Sequence, residues 1–71
     1  MRRHPARLGP GDQVADGHHG TVTVERVLGP TTAHDAWQVE VRTPDGRLLL
    51  RNYRHRGTVR VTGNTASPTL F

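Results

Sequence analysis

The chain has 71 residues with ten arginines, no lysine, six acids and no cysteine, for a formal net charge of +4. That length makes one domain, and the missing cysteine excludes a disulfide framework. A domain this small buries only about 60% of its unfolded surface, so marginal stability is expected, with homo-oligomerisation or residence in a larger assembly as natural supports.

In chain order, residues 1–10 read as a disordered basic arm, because Pro5, Gly9 and Pro10 break any helix and no apolar periodicity is present. Gly11 to Ala15 form a first short strand, closed by a turn at Asp16 and Gly17 with His18, His19 and Gly20 completing the loop. Thr21 to Leu28 are rich in β-branched residues and make a strong strand, with Val22 and Val24 on one face. The alternation fails at Arg26, Val27 and Leu28, which marks a bulge or bend, and Gly29 with Pro30 is expected to end the strand. Thr31 to Asp35 form a polar loop.

Ala36 to Arg42 alternate cleanly, with Trp37, Val39 and Val41 facing one way and Gln38, Glu40 and Arg42 the other. Thr43, Pro44, Asp45 and Gly46 then make a hairpin turn. The following strand, Arg47 to Tyr53, has two possible registers. A three-residue Pro-Asp-Gly loop with a bulge pairs Val41 with Leu49 and Trp37 with Tyr53; a two-residue Asp-Gly turn pairs Val41 with Leu50 and flips every side chain. The first is favoured, since proline suits the second position of a type I turn and an aromatic pair is gained. A polar turn over Arg54, His55, Arg56 and Gly57 leads to a last strand, Thr58 to Thr62, and residues 63–71 read as a polar tail.

Five short strands with turns about every ten residues predict an all-β fold over residues 11–62, a small barrel or a strongly twisted sandwich, with closure into a barrel removing edges open to aggregation. Its core would be Val14, Val22, Val24, Val27, Trp37, Val39, Val41, Val59, Val61 and one or two of Leu48, Leu49 and Leu50. The run Gly11, Asp12, Gln13 and Val14, then Gly17 and Gly20, Thr21 and Val22 with Val24 or Val27, resembles the opening of KOW-type SH3-like small barrels over about residues 11–28. The loop holds His18 and His19 where such proteins usually carry lysine or arginine. The resemblance implies a five-stranded SH3-like barrel that docks on RNA, a ribosome or a polymerase.

Charge is uneven along the chain. Residues 1–11 carry +3, residues 12–45 carry −4 and residues 46–71 carry +5, which sum to +4. Basic ends around an acidic middle suggest a side that faces a polyanion. A GC-rich genome alone favours arginine over lysine, but the planar guanidinium suits phosphate whatever its origin. The candidate site is Arg47, Arg51, Arg54, Arg56 and Arg60 interleaved with Tyr53 and His55, a combination that neutralises phosphates and stacks bases. The competing reading is a solvated strand face whose arginines pair with Glu25, Glu40 and Asp35. Arg2, Arg3 and Arg7 of the arm would add phosphate contacts, and Leu70 with Phe71 could dock in a partner's pocket.

His4, His18, His19, His34 and His55 lack zinc-site spacing, so neither metal nor cofactor is expected. Asp12, Asp16 and Asp45 read as strand-start and turn residues rather than catalytic acids, and no nucleophile stands beside a base. The function expected from sequence is therefore a non-catalytic binding module for nucleic acid or a nucleoprotein. The alternative is a protein-interaction module: an adaptor, an inhibitor or an assembly subunit, such as a phage or actinobacterial accessory protein. The longest apolar run, Leu48 to Leu50, is too short for a signal peptide or a membrane span, so a cytoplasmic setting with no membrane partner is expected.

Overall fold

The computed structural model describes residues 1–31 and 35–64. They form an all-β, barrel-like fold of six strands: β1 (Arg2–Arg3), β2 (Asp12–Asp16), β3 (Gly20–Thr31), β4 (Ala36–Arg42), β5 (Leu48–Arg54) and β6 (Val59–Asn64). The sheet order is β1-β6-β2-β3-β4-β5, antiparallel throughout. The expected five strands are thus six, because β1 is built from the N-terminal arm.

β2 and β3 form a hairpin closed by Asp16, whose Oδ1 accepts from the His18 and His19 amides at 2.8 and 3.3 Å. The expected irregularity in β3 is there as two register shifts, between Val24 and Arg26 and between Val27 and Gly29. The expected strand end at Gly29 and Pro30 is not: β3 runs on to Thr31, with Gly29 opposite Gln38 and Pro30 opposite Trp37. Gly29 takes φ +126°, which a bulge can use. Beyond Val24, β3 pairs with β4 alone, so Pro30 lies on an edge, where proline is tolerated.

The β4–β5 hairpin adopts the favoured register, with Val41 opposite Leu49 and Trp37 opposite Tyr53. Its loop is tied by Gly46 N–H to Thr43 O (2.9 Å), Thr43 N–H to Arg47 O (2.8 Å) and Arg47 N–H to Thr43 Oγ1 (3.1 Å). Gly46 takes φ +91°. Gly46→Ala should cost about 1 kcal/mol, since a Cβ is strained there even in open space. Urea denaturation tests this, and an unchanged midpoint would show that the turn relaxes freely.

The sheet curls on itself. On a flat sheet β5 would lie about 14 Å from β2, three strand spacings away. Yet Arg51 Nε of β5 stands 3.0 Å from Asp16 Oδ2 of β2. The concave face encloses the core: Leu8, Val14, Val22, Val24, Val39, Val41, Val59 and Val61, with Val27, Leu49 and Tyr53 packed against it. Leu49 is the inward leucine, whereas Leu48 and Leu50 are exposed. Trp37, expected in the core, is only half-buried and outside the core cluster.

The expectation of a disordered arm is corrected. Arg2 and Arg3 pair with Arg60 and Val59 on the open side of β6, and the Val61 amide donates to Met1 O at 2.7 Å. Pro5–Arg7 form a 3-10 turn packed on β3 and β4, and Leu8 enters the core. The residues taken as helix breakers set this path: Pro5 opens the turn, where its missing N–H costs nothing. The tail starts later than expected, because Gly63 and Asn64 continue β6.

Candidate functional site

The ten arginines divide into two classes. Five pair with carboxylates: Arg3 with Asp12, Arg26 with Glu40, Arg42 with Glu25, Arg47 with Asp45 and Arg51 with Asp16. The other five, Arg2, Arg7, Arg54, Arg56 and Arg60, have no carboxylate partner among the described residues. Positive charge is therefore neutralised on β3, β4 and β5, in the β4–β5 turn and at Arg3 of β1. It is left without a carboxylate among the described residues at Arg2 of β1, Arg7 of the 3-10 turn, Arg54 and Arg56 around the β5–β6 turn and Arg60 of β6.

The fold gathers these free arginines from distant parts of the chain. β1–β6 pairing sets Arg2 directly opposite Arg60, a like-charge juxtaposition that costs stability unless an anion bridges it. Arg2 is held by Thr58, with Nε 2.7 Å from Oγ1 and Nη2 2.9 Å from the carbonyl oxygen. Arg2, Arg3, His4 and Arg7 line one open depression of ≈ 670 Å³. Asp35, Arg54, His55 and Arg56 line a second, of ≈ 320 Å³.

His4 joins the two. Its Nδ1 accepts from the Ala6 amide at 3.1 Å, so its Nε2 hydrogen donates to the His55 carbonyl at 2.6 Å. The His4 ring stands nearly perpendicular to both Trp37 (5.7 Å, 83°) and His55 (5.9 Å, 87°). Trp37 Nε1 in turn donates to His55 Nδ1 at 3.0 Å.

The structure thus links the depression of Arg54, His55 and Arg56 to that of Arg2 and Arg7 through the His4–His55 contact, and places Arg60 opposite Arg2. Four other candidates go elsewhere. Arg3 of the arm is salt-bridged to Asp12. Arg47 is salt-bridged to Asp45 in the hairpin turn. Arg51 and Tyr53 face the concave side, where Arg51 meets Asp16. The Tyr53 hydroxyl is buried next to Arg51, and burial pushes its pKa up against the opposing influence of that guanidinium. Glu25 and Glu40 do pair with arginines, but with Arg42 and Arg26 rather than with those of the last segment.

His4 and Trp37 were missed by sequence reasoning, since a histidine in a presumed arm and a tryptophan in an alternating strand carry no signal for this cluster. Leu70, Phe71 and His34 lie outside the described residues. Comparison with family models, with curated proteins and with solved structures returns no match.

Proposed function

We propose that the chain is a non-catalytic binding module that docks on nucleic acid, or on a nucleoprotein of ribosome or polymerase type, through the surface formed by Arg2, Arg7, Arg54, Arg56 and Arg60. The observation that supports this reading is the segregation of arginines: five are tied to carboxylates, while of the other five, Arg2 and Arg7 line one depression, Arg54 and Arg56 line a second that the His4–His55 contact joins to it, and Arg60 lies opposite Arg2. Guanidinium groups not neutralised by a carboxylate can fork onto phosphate oxygens, although Arg2 already spends two donors on Thr58. The curled sheet is compatible with the SH3-like, KOW-type architecture that residues 11–28 resemble, and that assignment is part of the proposal. No helix among the described residues is long and apolar enough to cross a membrane, and a cytoplasmic setting belongs to the same reading.

The test is titration of labelled nucleic acid at several salt concentrations. Five phosphate contacts would give a slope of log K against log salt of about −3.5 on a single strand. A slope near zero, or no binding at 50 mM salt, would overturn the reading.

A second reading rests on a separate observation. β5 is an edge strand, and Leu48 and Leu50 are 49% and 58% exposed on it. Such an edge can accept a strand from a protein partner or a second copy. Leu48→Lys with Leu50→Lys should leave stability within about 1 kcal/mol, because both side chains already face water. If this edge is the working surface, that variant loses the partner while nucleic-acid binding, if any, is unaffected. A wild-type chain that is monomeric and captures no protein partner argues against it.

A further inference from the structure

Trp37 and His55 are parallel to within 5° with centroids 6.3 Å apart. Both atoms of their 3.0 Å hydrogen bond, Trp37 Nε1 and His55 Nδ1, bond in the plane of their own rings. Parallel rings joined through in-plane atoms lie side by side rather than face to face. Indole and imidazole therefore form one extended flat plate, held by the kind of N–H···N bond that keeps two bases level in a pair. His4 braces the seam nearly equidistant from both rings, and its own nitrogens are occupied by Ala6 and His55. His55 is exposed, Trp37 is half-buried outside the core cluster, and no other ring packs on the plate among the described residues.

Resting on the nucleic-acid reading above, we infer that the Trp37–His55 plate is a stacking platform for an unpaired nucleobase, so that single-stranded nucleic acid is the ligand. Arg54 and Arg56 line the same depression as His55, and the depression of Arg2, Arg3 and Arg7 shares His4 with the plate's brace. Arg2, Arg7, Arg54 and Arg56, which have no carboxylate partner among the described residues, thus lie near a flat aromatic surface, with Asp35 the one acid lining the Arg54–Arg56 depression. Basic groups beside an aromatic plate are the combination that tracks a sugar-phosphate strand while holding its bases. The hydrogen bond between the rings fixes the plate beforehand, so little side-chain freedom is lost when a base lands on it.

Trp37 is the only tryptophan, so its fluorescence reports on the plate directly. The experiment titrates the full chain with an eight-nucleotide oligothymidylate and, separately, with an abasic oligodeoxynucleotide carrying the same number of phosphates. Labelled-strand anisotropy gives the affinity and tryptophan emission gives the stacking. The base-bearing strand should quench Trp37 and bind about tenfold tighter, as one stacked base supplies; the abasic strand should bind without quenching. His55→Ala, a change at an exposed residue, should bring the two affinities within about twofold, because the plate is lost while the arginines that contact phosphate remain. Equal affinities with unchanged emission, or a His55→Ala variant that keeps the full preference for bases, overturn the platform and leave the arginine surface standing. Failure of both strands to bind overturns the arginine surface, and the platform falls with it.

Discussion

Replacing Asp16 by alanine is expected to lower stability by about 3 kcal/mol, reflecting loss of a buried, multiply bonded carboxylate. Its side chain is 1% exposed. One oxygen caps the β2–β3 turn through the His18 and His19 amides, and the other faces Arg51 across the fold of the sheet. The Arg51 contact is an attraction of charges without hydrogen-bond geometry, so its strength depends on water being kept out. Alanine removes the turn cap and leaves the Arg51 guanidinium on the concave face with no counter-charge. For a domain of this size, 3 kcal/mol corresponds to a fall in Tm of about 10–20 °C. Arg51→Met keeps the aliphatic stem but strands the carboxylate, and should cost about 2 kcal/mol, less than a fully buried pair because Arg51 is 35% exposed. A loss under 0.5 kcal/mol in both variants would mean that apolar packing alone closes the fold.

The same carboxylate predicts an acid dependence with a definite sign. Burial works to raise the Asp16 pKa, but the His18 and His19 amides and Arg51 together outweigh it and hold the group below its ordinary value. The unfolded chain therefore takes up this proton at a higher pH than the folded one. Stability from Asp16 is complete above the ordinary carboxylate range and is lost as pH falls through the lowered folded value. Tm should drop between about pH 5 and pH 2, and Asp16→Asn should flatten much of that drop. The Asp45 carboxyl is also lowered, chiefly by the Thr43 hydroxyl, but it lies in an exposed turn and adds little.

The sequence made the sheet legible and the ends illegible, for one physical reason. Period-two alternation and turn chemistry act locally, so β4, the Pro44-Asp45-Gly46 turn and the pairing of Trp37 with Tyr53 could be read from neighbours alone. The arm has no such pattern. Arg2 and Arg3 form a strand only because β6 offers an unpaired side, and Leu8 is a core residue only because the 3-10 turn carries it over β3 and β4. The same limit governs the site. The cluster from Arg47 to Arg60 could be seen as a run, but its charges are sorted by contacts distant in sequence: Asp16 takes Arg51, whereas no carboxylate among the described residues is ion-paired with Arg54, Arg56 or Arg60. Arg2, Arg7, His4 and Trp37 join them through tertiary packing that no local spacing announces.

That sorting makes the double variant Arg54→Glu with Arg56→Glu the sharpest test of the surface. Each lost phosphate contact should reduce the salt slope by about 0.7 on a single strand and weaken binding about fivefold at 0.1 M salt. Two contacts give about 25-fold, and reversing rather than removing the charges adds repulsion, so the expected loss is at least about 100-fold. The fold should survive, because both side chains are exposed at the β5–β6 turn and neither has a carboxylate partner among the described residues. The control is Arg26→Gln with Arg42→Gln, which removes two positive charges from arginines already paired with Glu40 and Glu25. Net charge alone would make the control weaken binding about as much as Arg54→Gln with Arg56→Gln; a localised surface makes the control nearly neutral. Equal losses from these two glutamine pairs would reduce the surface to a diffuse electrostatic attraction, and undiminished binding by the glutamate variant would remove Arg54 and Arg56 from the site altogether.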